Sequence, residues 1–267
     1  MTTGELRLEG LRVIFNGGTP DERVALDGID LTLAPGDYVT VIGPNGAGKS
    51  TLLNAIAGTV PAARGSIFLD GLPLTRSPEH RRSALIARVM QDPRINTCGD
   101  LTIGENLAFA ERRGRSRSPF RLGRSRARLA ESIRLLSEYG RGLSGRLGHL
   151  AGDLSGGQRQ VLAMVMALAN LPSLLLLDEH TSALDPEMAD RVLELTDAAV
   201  RSTSVTTVMI THNMRQALEY GNRLLIMSEG RIVDDIGGAA KQALTEDALI
   251  ERFRAVVAES VSDRLIA

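Results

Sequence analysis

Apolar and polar positions alternate with a period of two near the start of the chain. "GELRLEGLRVIF" (Gly4 to Phe15) reads as a strand, "NGGTPDER" as a turn cluster, and "DYVTVIG" (Asp37 to Gly43) as a β-branched, apolar strand. Lys49 to Ala57 then has helical spacing, with Gly58 just past its end as a stop signal. "GSIFLDG" is a short strand between turn glycines. From about Arg81 to Ala169 the strand signal vanishes and helical spacing dominates. Strand-like runs return at "SLLLLDE", "TTVMITH", "RLLIMSEG" and "GRIVDD", alternating with helices such as "PEMADRVLELTDAAV". This alternation predicts an α/β fold: a mostly parallel sheet covered on both faces, with the helical middle inserted between its halves. No internal repeat at solenoid periods interrupts it.

Composition narrows the picture. With 267 residues, 43% hydrophobic and 24% charged, the chain can build a sizeable core, as one large α/β domain or a domain with an insertion. A formal net charge of -1 gives no overall attraction to nucleic acid, and no nucleic-acid partner is expected. The single cysteine, Cys98, forms no internal disulfide, so a reducing cytosol is expected. "MTTGELRLEG" lacks the charged-then-apolar order of a signal peptide. The longest apolar region, Val161 to Leu177, is broken by Asn170, Pro172 and Ser173. A membrane span needs about 20 mostly apolar residues, so none is expected. The arginine-rich stretch Arg112 to Leu129 has two readings. One is a basic surface for anionic lipid or a partner; the other is a solvated connection within the helical region.

Candidate chemistry begins at "VIGPNGAGKST". Gly43, Gly48, Lys49 and Ser50 fit G-x-x-x-x-G-K-[ST] after a predicted strand and at the start of a predicted helix, the setting this phosphate-binding motif requires. The glycines let successive N–H groups point inward, and the helix N-terminus adds partial positive charge. Lys49 would reach the β- and γ-phosphates, and Ser50 would place its hydroxyl on Mg²⁺. Downstream, the four leucines Leu174 to Leu177 run into Asp178 and Glu179. A buried strand would deliver both acids at its C-terminal edge, where open α/β sheets bind ligands. Asp178 would help to hold Mg²⁺, leaving Glu179 to polarise an attacking water. "DLSGGQRQ" then opens an apolar helix. It reads either as an anion site built from Ser155, glycine N–H groups and a helix N-terminus, or as a simple N-cap.

Taken in order, these motifs resemble the nucleotide-binding subunit of an ATP-binding cassette (ABC) transporter across nearly the whole chain. "GPNGAGKST" is similar to the family's phosphate loop, Gln91 in "RVMQDP" to its glutamine loop, and "LSGGQ" to its signature. "LLLLDE" is similar to the metal-and-base strand, Ser182, Ala183, Leu184 and Asp185 to the dimer-contact loop, and His212 in "MITHNM" to the switch histidine. The resemblance implies a P-loop core with an antiparallel β subdomain and an inserted helical subdomain. The implied boundaries are about 1–90 with 166–240 for the core and β subdomain, 91–165 for the helical subdomain and 241–267 for a C-terminal helical extension. It implies ATP and Mg²⁺ as cofactors, with phosphates held by Gly43, Asn45, Gly46, Ala47, Gly48, Lys49, Ser50 and Thr51. Mg²⁺ would be held by Ser50, Gln91 and Asp178, and catalysis would fall to Glu179, His212 and Gln91.

It further implies a head-to-tail homodimer in which Ser155, Gly156, Gly157 and Gln158 of one subunit cap the γ-phosphate of ATP held by the other. The adenine-stacking aromatic maps to Phe15, which equally reads as a core strand residue. Transmembrane permease subunits and an extracytoplasmic solute-binding protein are the implied partners, placing the chain at the cytoplasmic face of the membrane. His180 stands where most members have proline. The "LLLLDEHTSALDP" form, with "DLTIGENLA" and "YGNRLLIMSEGRI", is similar to a narrower bacterial group of importers, which favours solute uptake and amino acids as the class of solute. An exporter ATPase and a soluble, non-transport ABC protein are the alternatives. Lone His80 and His149 have no partners at metal-ligand spacing.

Overall fold

A computed structural model describes residues 4–113, 122–140 and 142–266. In chain order come β1 (Leu6–Phe15), β2 (Arg23–Leu33), β3 (Tyr38–Ile42), α1 (Lys49–Ala57), β4 (Arg64–Leu69) and β5 (Leu72–Pro73). Next are α2 (Glu79–Arg82), β6 (Ile86–Val89), α3 (Pro93–Asn96), α4 (Ile103–Ala110), α5 (Leu122–Tyr139), α6 (Gly156–Leu168), β7 (Leu174–Asp178) and α7 (Pro186–Thr203). The chain closes with β8 (Thr206–Ile210), α8 (Met214–Glu219), β9 (Arg223–Ser228), β10 (Arg231–Gly237), α9 (Gly238–Gln242) and α10 (Glu246–Ile266). It divides into two compact units, Met1–Glu79 with Thr206–Ala267, and His80–Val205.

In the first unit, the alternating N-terminal pattern forms an antiparallel sheet in the order β2-β1-β4-β5. Its inward residues Leu6, Leu8, Leu11, Val13, Leu31 and Leu33 are buried, as period-two patterning dictates. Register shifts along β1 and β2 twist this ribbon, and the pairing ends with Phe15 opposite Arg23. A second group of strands runs β10-β9-β3-β8. β3 is parallel to both β8 and β9, and only β10 runs antiparallel. Every residue of β3 and β8 is buried, which is why both read as continuous apolar runs. Ile42, Ala217, Leu224, Ile226, Ile236 and Leu249 form a core cluster, with Phe253 and Val256 of α10 packed on it. Each fully buried large aliphatic of this kind contributes about 1.5–3 kcal/mol.

The second unit centres on α6. Its residues Val161 to Leu168 are all buried, so the helix is apolar all round, as a central helix must be. β6 and β7 pair in parallel in this unit. β6 is a departure from the sequence pattern, which reads this region as helical. Four residues interrupted by Arg88 are too few to show a strand period. Part of the arginine-rich stretch, 114–121, lies outside the described residues. Arg113, at its edge, is not solvated as a charge run usually is: its guanidinium donates to the carbonyl of Ala167 near the C-terminus of α6 at 2.8 Å. Among the described residues no helix is long and apolar enough to cross a membrane.

Candidate functional site

The phosphate loop of the first unit joins β3 to α1. Gly46 and Gly48 have φ of 83° and 97°, the left-handed region that favours glycine. Gly48 occupies the N-cap of α1, and a glycine brings no side chain of its own to cap the helix. Lys49 is buried, and its ammonium donates to the carbonyls of Gly43 at 2.7 Å and Pro44 at 3.1 Å. The cation is thereby folded into its own loop. Ala47 is buried, while Asn45, Gly46 and Ser50 are exposed and Thr51 is half-buried.

Two further elements of this unit converge on the loop. Arg23, the register partner of Phe15, reaches to within 3.3 Å of where a Cβ on Gly46 would lie. The β1–β2 end therefore sits beside the loop, and Phe15 stands at its rim, 39% exposed, rather than in the core. Sequence reasoning missed Arg23, which looks like an ordinary turn arginine. On the other side, β8 is parallel to β3, and the Thr211 amide donates to the Val41 carbonyl at 3.2 Å. The exposed His212, one residue on, leaves the sheet at the same edge as the loop. Asn213 caps α8 directly after it.

In the second unit, parallel β6 and β7 deliver Gln91 and the acids Asp178 and Glu179 at one edge. Gln91 is exposed and Asp178 is buried. Arg88 Nη2 lies 2.6 Å from Asp178 Oδ2, a pairing that only a lone charge in "ALIARVM" hinted at. Glu179 has φ of 48°, a left-handed conformation worth about 1–3 kcal/mol of strain for a residue with a side chain. Its carbonyl accepts from the amide and the hydroxyl of Ser182, at 2.9 and 2.8 Å, which fixes the turn. His180 turns inward, 2% exposed, with Nε2 3.4 Å from Thr196 Oγ1. Burial pushes its pKa down to about 4, so it is a neutral packing residue near pH 7.

Ser155 proves to be the N-cap of α6. Its hydroxyl accepts from the Gln158 amide and the Gln158 side chain accepts from the Ser155 amide, a capping box. The cap and anion-site readings are compatible, because the box leaves Ser155 and Gly156 exposed at a helix N-terminus. Gly157 is buried against Met188, and a Cβ on Gly156 would lie 3.3 Å from Leu184. The turn at residues 155–158 and the loop at residues 182–185 are thus packed together, with Ser182, Ala183 and Asp185 exposed and Asp185 capping α7. His80 and His149 are exposed.

The residues fit Mg²⁺. Ser50, Gln91 and Asp178 offer only hard oxygen donors, and Mg²⁺ sites characteristically use one or two carboxylates with phosphates and water. Among the described residues no cluster of three histidines, cysteines or acids forms the kind of all-protein cage that other metals use.

A glycine loop opening a helix, with two acids at the end of a buried strand, defines the P-loop class of nucleotide hydrolases. Comparison with known proteins sharpens this. The family model described as ABC transporter matches residues 26–182. The chain is 37% identical over 252 residues to a tyrosine transport ATP-binding protein of Clostridioides difficile, covering 94% of this chain and 100% of that protein. It is 35% identical over 236 residues to a methionine import ATP-binding protein of Corynebacterium diphtheriae, covering 88% of this chain and 66% of that protein. A solved dimeric ATP-binding cassette in a post-hydrolysis state, bound to ADP and phosphate, matches with a TM-score of 0.71 at 26% identity. That match covers 87% of this chain and 98% of the other. The chain belongs to the ABC transporter family and is an ATP-binding cassette ATPase of the α/β class its sequence predicts.

Proposed function

We propose that this chain is the ATPase subunit of a bacterial importer, that it dimerises on ATP, and that it powers a separate transmembrane permease for solute uptake. The observation that carries this is the 37% identity along the full length of a tyrosine transport ATP-binding protein. A second relative is a methionine import ATP-binding protein, so amino acids are the solute class we assign. An extracytoplasmic solute-binding protein would select the solute, and the chain would sit peripherally at the cytoplasmic face, held by the permease.

In this reading Lys49 and the N–H groups from Gly46 to Thr51 bind the phosphates, and Phe15 stacks on adenine. Ser50, Gln91 and Asp178 would hold Mg²⁺, which neutralises charge on the phosphates when bound. Glu179 accepts a proton from the attacking water, and His212 contacts the γ-phosphate and orients that water. Ser155, Gly156, Gly157 and Gln158 of the second copy close over the same γ-phosphate, with the exposed loop Ser182 to Asp185 carrying contacts between the copies. The segment that follows Gln91 would contact the permease.

Reconstitution tests the function. The chain is co-expressed with a candidate amino-acid permease and its solute-binding protein and placed in vesicles with ATP on the cytoplasmic side. Amino-acid uptake that needs ATP and is lost in Glu179→Gln is expected. ATP hydrolysis without any co-purifying permease, or ATP-driven efflux, would overturn it.

A further inference from the structure

β6 is a strand of buried apolar residues, Ile86, Ala87 and Val89, with one arginine set among them. The Arg88 side chain is only 16% exposed. Removing a guanidinium from water costs several kcal/mol unless a charged partner offsets it. Its partner is the carboxylate of Asp178, itself 12% exposed, with Nη2 and Oδ2 2.6 Å apart.

The backbone fixes this pair. Parallel register sets Arg88 opposite Leu176, so Asp178 lies two residues further along β7 on the same face, within diagonal reach of a long side chain. Asn96 holds the exit of β6 at both ends of its amide: its nitrogen donates to the Arg88 carbonyl at 3.0 Å, and its oxygen accepts from the Met90 amide at 2.8 Å. The guanidinium therefore starts from a clamped strand, three residues before Gln91.

We propose that Arg88 is a positioning residue that occupies Oδ2 of Asp178 and weakens the hold of that carboxylate on Mg²⁺. The proposal rests on the reading of Asp178 as a metal holder. A carboxylate already shared with a fixed cation attracts a divalent ion weakly, because like charges a few ångströms apart repel. Arg88 thus orients the acid while lowering its attraction for the metal.

The test is a Mg²⁺ titration of the full chain, read by the fluorescence of a bound non-hydrolysable ATP analogue rather than by turnover. Arg88→Met is expected to lower the Mg²⁺ concentration at the midpoint about tenfold, the size of effect that removing one nearby charge gives. Arg88→Lys, which restores the charge, should stay within about threefold of wild type. Arg88→Gln carries the same expectation as Arg88→Met should the latter fail to fold. An unchanged or raised midpoint in the folded neutral variant overturns the role of Arg88. Asp178→Asn separates the two readings: it should raise the midpoint steeply, and an unchanged midpoint there overturns Asp178 as metal holder.

Discussion

Gly43 packs directly beneath the main-chain carbonyl of Met227, so closely that a Cβ on it would lie 2.3 Å from that oxygen and 3.1 Å from the Cβ of Ala47. The first glycine of the phosphate loop is therefore required by contact with the β9 exit, not only by the curl of the loop. Gly43→Ala must displace the loop or the strand, and overpacking of this kind costs about 1–3 kcal/mol. Calorimetric ATP binding should weaken at least tenfold, or about 1.4 kcal/mol. Gly17→Ala is the control, because its Cβ would meet only Ile14 Cγ2 at 3.7 Å. Equal affinity in the two variants would contradict the packing account.

His180 predicts a pH dependence of stability. Its pKa is pushed down from 6.5 to about 4 by burial. Between those values the folded chain keeps it neutral while the unfolded chain takes up a proton. The unfolded state then binds more protons, so stability is fully present above about pH 6.5 and falls as pH drops towards 4, by on the order of 3 kcal/mol in total. His180→Gln keeps an amide near Thr196 and removes the titration. In urea unfolding, wild type should lose stability relative to this variant between pH 7.5 and 4.5. Parallel curves would refute the assignment.

Much of this was legible in the sequence because phosphate binding is local. The Gly43 to Thr51 loop, its strand and its helix are contiguous, and a buried strand announces itself as Leu174 to Leu177. The capping box of Ser155 and Gln158 is equally local. Arg88 was not legible, because its meaning depends on a partner 90 residues away across a parallel pair. Nor was β6, which is too short for a period. Phe15 kept two readings because β1 and β2 shift register along their pairing, and only the assembled ribbon puts Phe15 opposite Arg23. His180 has the side chain of a catalytic residue, yet burial against Thr196 makes it part of the packing.

The composite sites proposed above predict complementation. Lys49→Ala removes the proposed phosphate cation from a chain's own loop, and Ser155→Arg blocks the signature that the proposal has the chain offer to its partner. Each variant alone should be inactive. Mixed, they form hybrid dimers in which one site combines an intact phosphate loop with an intact signature, and phosphate release should recover well above the sum of the two. Recovery in the mixture is what signature action across subunits predicts where one intact site suffices, and full activity of the Ser155→Arg chain alone would contradict it.

Glu179→Gln tests the central claim most directly, by single-turnover hydrolysis combined with light scattering in Mg·ATP. Loss of a general base typically slows the chemical step by 10²–10⁴-fold. The variant should bind ATP as tightly as wild type, hydrolyse it at least a hundredfold more slowly, and accumulate as an ATP-bound dimer. Turnover close to wild type, or a chain that stays monomeric with ATP bound, would contradict the assignment of Glu179 as the base of an ATP-closed dimer.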